Sequence, residues 1–217
     1  MSQEFIKRIL SSIILVPIAL FFIIEGSFLF NFFIALCFTI TSLEWYKMSK
    51  KKSYNFFGLI FLIISFYSIY MLRNEFNSEY MYLLFITIIC VSTDIGGYLF
   101  GKLFKGPKLT KISPKKTYSG MIGGYLMSII AVNFFINSTF SNELIDLTNS
   151  TYVFVLLVSS ISQLGDILIS YFKRLSKVKD TGKIIPGHGG LLDRVDGMIF
   201  AFPFSYLILS VNIFSFF

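Results

Sequence analysis

The sequence predicts an all-α, polytopic membrane protein of about seven transmembrane helices. Three observations support this. Of 217 residues, 55% are hydrophobic and only 14% charged, and the mean hydropathy is +0.74, which is outside the range of soluble domains. The apolar residues gather into seven runs, most of them long enough to cross a bilayer as a helix. The basic residues fall almost entirely into alternate segments between those runs.

Taken in order, Lys7 and Arg8 precede the first run, 9–24. It resembles a signal peptide, but it ends Phe-Ile-Ile-Glu-Gly-Ser-Phe without a small-residue cleavage site, so it reads as a retained helix. Pro17 lies inside it, as lipid-embedded helices tolerate. The second run is 27–43, followed by Lys47, Lys50, Lys51 and Lys52, and the third is 54–72, closed by Arg73, Asn74 and Glu75. Trp45, Tyr46, Tyr54 and Tyr80 sit near run ends, where interfacial aromatic belts form. The fourth run, 80–104, carries Asp94 and Gly96, Gly97 and Gly101; a loop with six lysines between Lys102 and Lys116 follows. The fifth, 120–140, opens Gly-Met-Ile-Gly-Gly, small residues that permit close helix contact or backbone approach to a ligand. The sixth is 151–169 and the seventh 197–217.

With the N-terminus inside, the cytoplasmic segments hold two, four, six and six basic residues, and of the 19 only Arg73 lies outside. That distribution predicts N-in, C-out. No internal repeat or linker breaks the chain, so a single membrane domain is expected, 1–79 providing N-terminal spans and 80–217 the catalytic part. A net charge of +7 raises the possibility of nucleic acid, but basic clusters between apolar runs point instead to topology and phosphate binding, and no nucleic acid is expected. Cys37 and Cys90 both fall within apolar runs, which argues against a disulfide or zinc site.

The densest polar stretch is 170–196, with six basic residues, Asp180, Asp193, Asp196 and the only histidine, His188. Leading into it, Gln163, Asp166, Ser170 and Lys173 are spaced three, four and three apart, on one face of a helix reaching the cytoplasmic surface. A carboxylate such as Asp166 costs about 2.5–3.5 kcal/mol near the bilayer centre, so a metal, a cation partner or a water-filled cavity must compensate it. A structural ion pair with Lys173 or a lysine of a neighbouring helix is the plainer reading. Asp193 and Asp196 share a face if the last helix begins near Leu192; they complement a helix start or serve a site. Gly189 and Gly190 allow backbone N–H groups to converge on an anion. Among the roles open to His188, phosphate binding is favoured over proton transfer, because a phosphate nucleophile is already ionised. Separated carboxylates, basic groups and a Gly-rich turn together suit a phosphate-bearing substrate with a divalent metal.

At these residues the chain resembles the phosphatidate cytidylyltransferase (CDP-diacylglycerol synthase) family. The signature is met by Ser170, Lys173-Arg174, Lys179-Asp180, Gly182, Pro186, His188-Gly189-Gly190 and Asp193-Arg194-Val195-Asp196. Two shorter blocks agree, Asp94-Ile-Gly-Gly-Tyr98 with Gly101-Lys102, and Ser113-Pro-Lys-Lys-Thr117 with Gly120 and Gly123-Gly124. The resemblance runs from Asp94 to the C-terminus, and the first half agrees only in hydropathy. It departs at Ile169 and Ser119, where many members are acidic.

The resemblance implies a multi-pass, dimeric enzyme of the cell (inner) membrane, with its site on the cytoplasmic face, that joins CTP and phosphatidate into CDP-diacylglycerol and pyrophosphate among membrane lipids. It implies Mg²⁺ near Asp166 and Asp193. The catalytic set is then Asp166, Asp193, Asp196, Lys173 and His188. Substrate phosphates are expected at Ser170, Arg174, Lys179, Gly189, Gly190, Arg194, Ser113, Lys115, Lys116 and Thr117, with Asp94 beside them. Two other readings stand behind this one. A CTP-dependent polyprenol kinase directs attack to the γ-phosphorus, and an anion transporter places its site at mid-membrane between repeats.

Overall fold

The computed structural model describes residues 3–75, 80–110, 112–137, 148–185 and 189–211, with side chains from residue 14 onward. Within them the chain forms eight helices and no strand. These are α1 (Gln3–Glu25), α2 (Ser27–Ser49), α3 (Asn55–Asn74), α4 (Met81–Phe104), α5 (Tyr118–Asn137), α6 (Asn149–Leu175), α7 (Leu192–Val195) and α8 (Met198–Ser210). In a bilayer only a helix or a closed barrel satisfies every backbone polar group, and the apolar runs take the first solution. Five helices, α2 to α6, are long and apolar enough to cross a membrane. The apolar part of α1 and the 13-residue α8 are shorter. The chain is an all-helical membrane protein.

Local chemistry sets the helix ends. The chain reverses between α1 and α2 at Gly26, whose φ of 69° suits glycine. A Cβ there would also collide with the Arg73 guanidinium. That side chain reaches from α3 to the last carbonyls of α1, with Nε donating to the Ile23 oxygen at 3.1 Å and Nη2 to Ile24 at 3.4 Å. Arg73, the single basic residue assigned outside by sequence, therefore caps a helix C-terminus. At the start of α6, Thr148 and Thr151 form a reciprocal capping pair. From there α6 continues six residues past the expected end at 169, so Gln163, Asp166, Ser170 and Lys173 all ride on one helix.

The closest packing joins α4 to α5. Gly96 lies directly against the Gly123 carbonyl, and a Cβ on Gly120 would stand 2.7 Å from the Gly97 oxygen. The small residues at the start of the fifth run thus bring two backbones together, as expected. Polar side chains bind α4 to α6 inside the bundle, where Thr93 donates to Ser159 at 2.8 Å. On the other side α3 packs against α2 and α8, and Ser65 donates to the Ile199 oxygen at 2.7 Å.

Trp45 departs from its expected interfacial role. It is 3% exposed, donates from Nε1 to the Asn55 oxygen at 3.0 Å, and meets Phe172 and Tyr54 with ring centroids 5.3 and 6.0 Å away. Near a run end, the indole serves as the wedge that docks α2 and α3 on α6. The expected ends of the fifth and seventh runs, 138–140 and 212–217, lie outside the described residues.

Candidate active site

The polar groups collect where α6 leaves the bundle and α7 begins. Lys173, in the last turn of α6, is buried, as are Asp193 in α7 and Asp196 just after it. The Lys173 ammonium donates to Asp193 Oδ1 at 2.8 Å and lies 3.9 Å from Asp196 Oδ2. The other Asp193 oxygen, Oδ2, accepts from the Thr181 N–H at 2.8 Å, the Gly190 N–H at 3.0 Å and the Thr181 hydroxyl at 3.1 Å. Burial works against ionisation of Asp193, but the lysine and the two backbone donors outweigh it and hold its carboxyl below the ordinary carboxylate range. Asp196 differs. Burial first, then the negative charge of Asp166, push it well above that range against the pull of Lys173.

Asp166 sits two turns up α6 and faces a second loop. Its Oδ2 pairs with the Lys116 ammonium at 2.5 Å, and its Oδ1 lies 3.4 Å from the Ser170 hydroxyl. Lys116 also donates to the Gln163 carbonyl at 3.3 Å, which ties the lysine-rich loop to α6. Of the compensations open for Asp166, a cation partner is present, and it comes from the lysine-rich loop rather than from Lys173 or a neighbouring helix. Asp94 on α4 lies within electrostatic reach of Asp166, Lys116 and Arg194.

The remaining expected residues divide. Arg174, Lys179 and Arg194 are exposed, and Arg174 donates to the Val178 carbonyl at 3.2 Å. Lys115 is exposed beside Lys116. Thr117 instead organises the start of α5, accepting from the Gly120 N–H at 3.1 Å, and Ser113 takes part in the loop turn, its N–H reaching the Thr110 hydroxyl at 3.1 Å. The Gly190 N–H serves Asp193, and the Gly189 N–H donates to the Ile185 oxygen at 3.2 Å, so both glycine amides are engaged within the protein. His188, with Pro186 and Gly187, lies outside the described residues.

One residue in the site escaped the sequence reading. Glu44, on α2, is 3% exposed and accepts from the Leu192 N–H at 2.8 Å, the Leu191 N–H at 3.0 Å and the Thr181 hydroxyl at 3.1 Å. Its one legible signal was a lone carboxylate directly after the second apolar run, ahead of the lysine cluster that begins at Lys47.

Comparison with known proteins gives the family of the chain. The model of the cytidylyltransferase family matches residues 6–78 and 53–212. This chain belongs to that family. Among curated relatives, it is 37% identical over 211 residues to the phosphatidate cytidylyltransferase of Rickettsia felis, covering 95% of this chain and 92% of the relative. The phosphatidate cytidylyltransferase of Rickettsia conorii is 39% identical, with 88% and 85% covered, and that of Staphylococcus aureus 38%, with 81% and 67% covered. The family match also takes in the N-terminal half, which the sequence motifs left out.

The donor set bears on metal binding in this cytidylyltransferase family member. Asp166, Asp193, Asp196 and Asp94 offer hard oxygen ligands, the kind Mg²⁺ takes. Among the described residues no three acidic, histidine or cysteine side chains stand close enough to hold an ion by themselves. Mg²⁺ in nucleotide sites is usually held by one or two carboxylates plus substrate phosphates and water, so the set fits an ion that arrives with a nucleotide.

Proposed function

We propose that this chain transfers the cytidylyl group of CTP to phosphatidate, giving CDP-diacylglycerol and pyrophosphate for phospholipid synthesis. The observation that carries the reading is the match to phosphatidate cytidylyltransferases along nearly the whole length of both chains. The buried Lys173, Asp193 and Asp196 beside the Asp166–Lys116 pair supply charges suited to phosphate chemistry at a helix-bundle end.

The phosphatidate phosphate is ionised at neutral pH, so an oxygen of it attacks the α-phosphorus of CTP without a general base. A new P–O bond forms, and the bond to the β-phosphate oxygen breaks and releases pyrophosphate. Lys173, Arg174, Lys179, Arg194, Lys115 and Lys116 neutralise the phosphates of the two substrates, with Ser170, Ser113, Thr117 and His188 as hydrogen-bonding partners; the Gly189 and Gly190 amides, engaged by Ile185 and Asp193, shape the turn instead. Asp166 and Asp193 would hold Mg²⁺, which when bound stabilises charge on the leaving pyrophosphate. For Asp193 this requires Lys173 to turn toward phosphate and yield Oδ1. Asp196 and Asp94 complete the acidic wall.

The protein sits in the cell (inner) membrane with seven spans, N-in and C-out, and its active site on the cytoplasmic face. Five long apolar helices, the two shorter ones and the distribution of basic residues support that topology. Its lysine-rich cytoplasmic loops suit anionic membrane lipids, and the family resemblance supports a homodimer. Purified protein incubated with Mg²⁺, phosphatidate and CTP labelled at the α- or γ-phosphate tests the reaction. The α-label is expected in the lipid and the γ-label in pyrophosphate; γ-label in the lipid would mean a kinase.

A further inference from the structure

We propose that Glu44 is a positioning residue of the active site, holding the 181–192 loop from α2 so that Asp193 and Lys173 are set for catalysis. The inference rests on reading the α6–α7 region as that site. Glu44 is a buried carboxylate, and no lysine or arginine among the described residues lies within ion-pair distance of it. A charge removed from water in this way is expensive unless hydrogen bonds replace its hydration. Among the described residues those bonds come from the loop, from Leu191 and Leu192 at one end and Thr181 at the other. Helix packing by itself would be better served by an apolar side chain at this position.

The loop's own sequence is fitted to this carboxylate. A Cβ on Gly182 would stand 2.5 Å from Glu44 Oε1, and one on Gly190 would stand 2.5 Å from Oε2. Two signature glycines therefore make room for a residue outside the signature. Between its two anchored ends the loop closes on itself, with Ile185 and Gly189 exchanging backbone hydrogen bonds at 2.9 and 3.2 Å.

Thr181 connects the tether to the chemistry. Its hydroxyl lies 3.1 Å from Glu44 Oε2 and 3.1 Å from Asp193 Oδ2. With one hydrogen to give, it serves one carboxylate at a time, so the two compete for a shared donor. The Thr181 N–H meanwhile stays on Asp193, whose other oxygen holds Lys173. Displacing Glu44 therefore shifts Thr181, then Asp193, then the ammonium assigned to substrate phosphate.

The test is Glu44→Gln in the full-length protein, in detergent with phosphatidate. Glutamine keeps the shape, but in either orientation its NH₂ confronts a loop donor, since Leu191 and Leu192 address different oxygens. Amide exchange at Leu191 and Leu192 should accelerate about tenfold or more, as expected for the loss of a charge-assisted hydrogen bond. The KM for CTP should rise by a similar factor, a parameter that a smaller folded fraction leaves untouched. Thr181→Val, which removes one hydroxyl and keeps the shape, should raise the same KM. Combined with Glu44→Gln it should cost less than the product of the two effects. Unchanged exchange, or faster exchange with an unchanged KM, overturns the role of Glu44. Asp193→Asn separates the two levels. If it is inactive while Glu44→Gln has a normal KM, only the positioning role falls; if both behave as the parent does, the site reading itself falls.

Discussion

The buried pair of Lys173 and Asp193 offers the sharpest test of how this site is held. Their side chains are 11% and 4% exposed and meet at 2.8 Å, so each depends on the other for the loss of its hydration. Breaking such a pair from one side costs about 3–5 kcal/mol, because an uncompensated charge stays buried. Asp193→Asn belongs near the lower bound, about 3 kcal/mol, since the amide oxygen can still accept from Thr181 and Gly190 while its NH₂ faces the ammonium. Among the described residues Lys173 then retains the carboxyl of Asp196, at 3.9 Å. Combining Asp193→Asn with Lys173→Met removes both charges and should restore stability to within about 1 kcal/mol of the parent. Turnover should not return, because the ammonium proposed to meet substrate phosphate is gone; the loss expected is about ten- to 150-fold or more. Thermal unfolding in detergent gives the first quantity and α-labelled CTP the second. The pH dependence has a definite sign. The folded pKa of Asp193 lies below its ordinary value, so its contribution is complete above about 3.9 and is lost only as pH falls further, through the folded value. A single Asp193→Asn variant as stable as the parent, or a double variant with parental turnover, would refute the reasoning.

Other tests bear on separate parts of the molecule. Asp166→Asn should lower turnover at least tenfold, with partial recovery at raised Mg²⁺ if Asp166 holds the ion through one oxygen; near-normal activity at ordinary Mg²⁺ would remove it from the metal site. Lys173→Ala should cut turnover severely while Lys51→Ala, an equally basic position on the same proposed face, leaves it unchanged; equal effects would point to bulk charge. Cysteines at Lys51 and Lys179 should react with impermeant thiol reagents only from the cytoplasmic side and one at Asn142 only from outside, whereas labelling of 179 from outside would reverse the topology. Gly96→Val should destabilise the bundle by about 1–3 kcal/mol, because its branches enter the space of the Gly123 carbonyl; an unchanged unfolding temperature would argue against the α4–α5 contact.

Residue type and local spacing were enough for the class of fold and for the charged face of the candidate site. Membrane-length apolar runs leave little choice but helices, and the carboxylates and basic groups that cannot be left in lipid reveal themselves by type and spacing. The Gln163-Asp166-Ser170-Lys173 face was legible for the same reason, since helical periodicity is local. Partners distant in sequence were not. That Asp166 pairs with Lys116, that Lys173 pairs with Asp193, and that Trp45 is buried against Phe172 follow from how α2, α6, α7 and the lysine-rich loop before α5 meet, which no spacing encodes. Glu44 shows this most clearly. As a lone acid at the end of an apolar run it resembled an ordinary interfacial charge. Only the packing of α2 against the α7 region brought it to Thr181, Leu191 and Leu192, 137 to 148 residues away, and gave a buried charge the hydrogen bonds it requires.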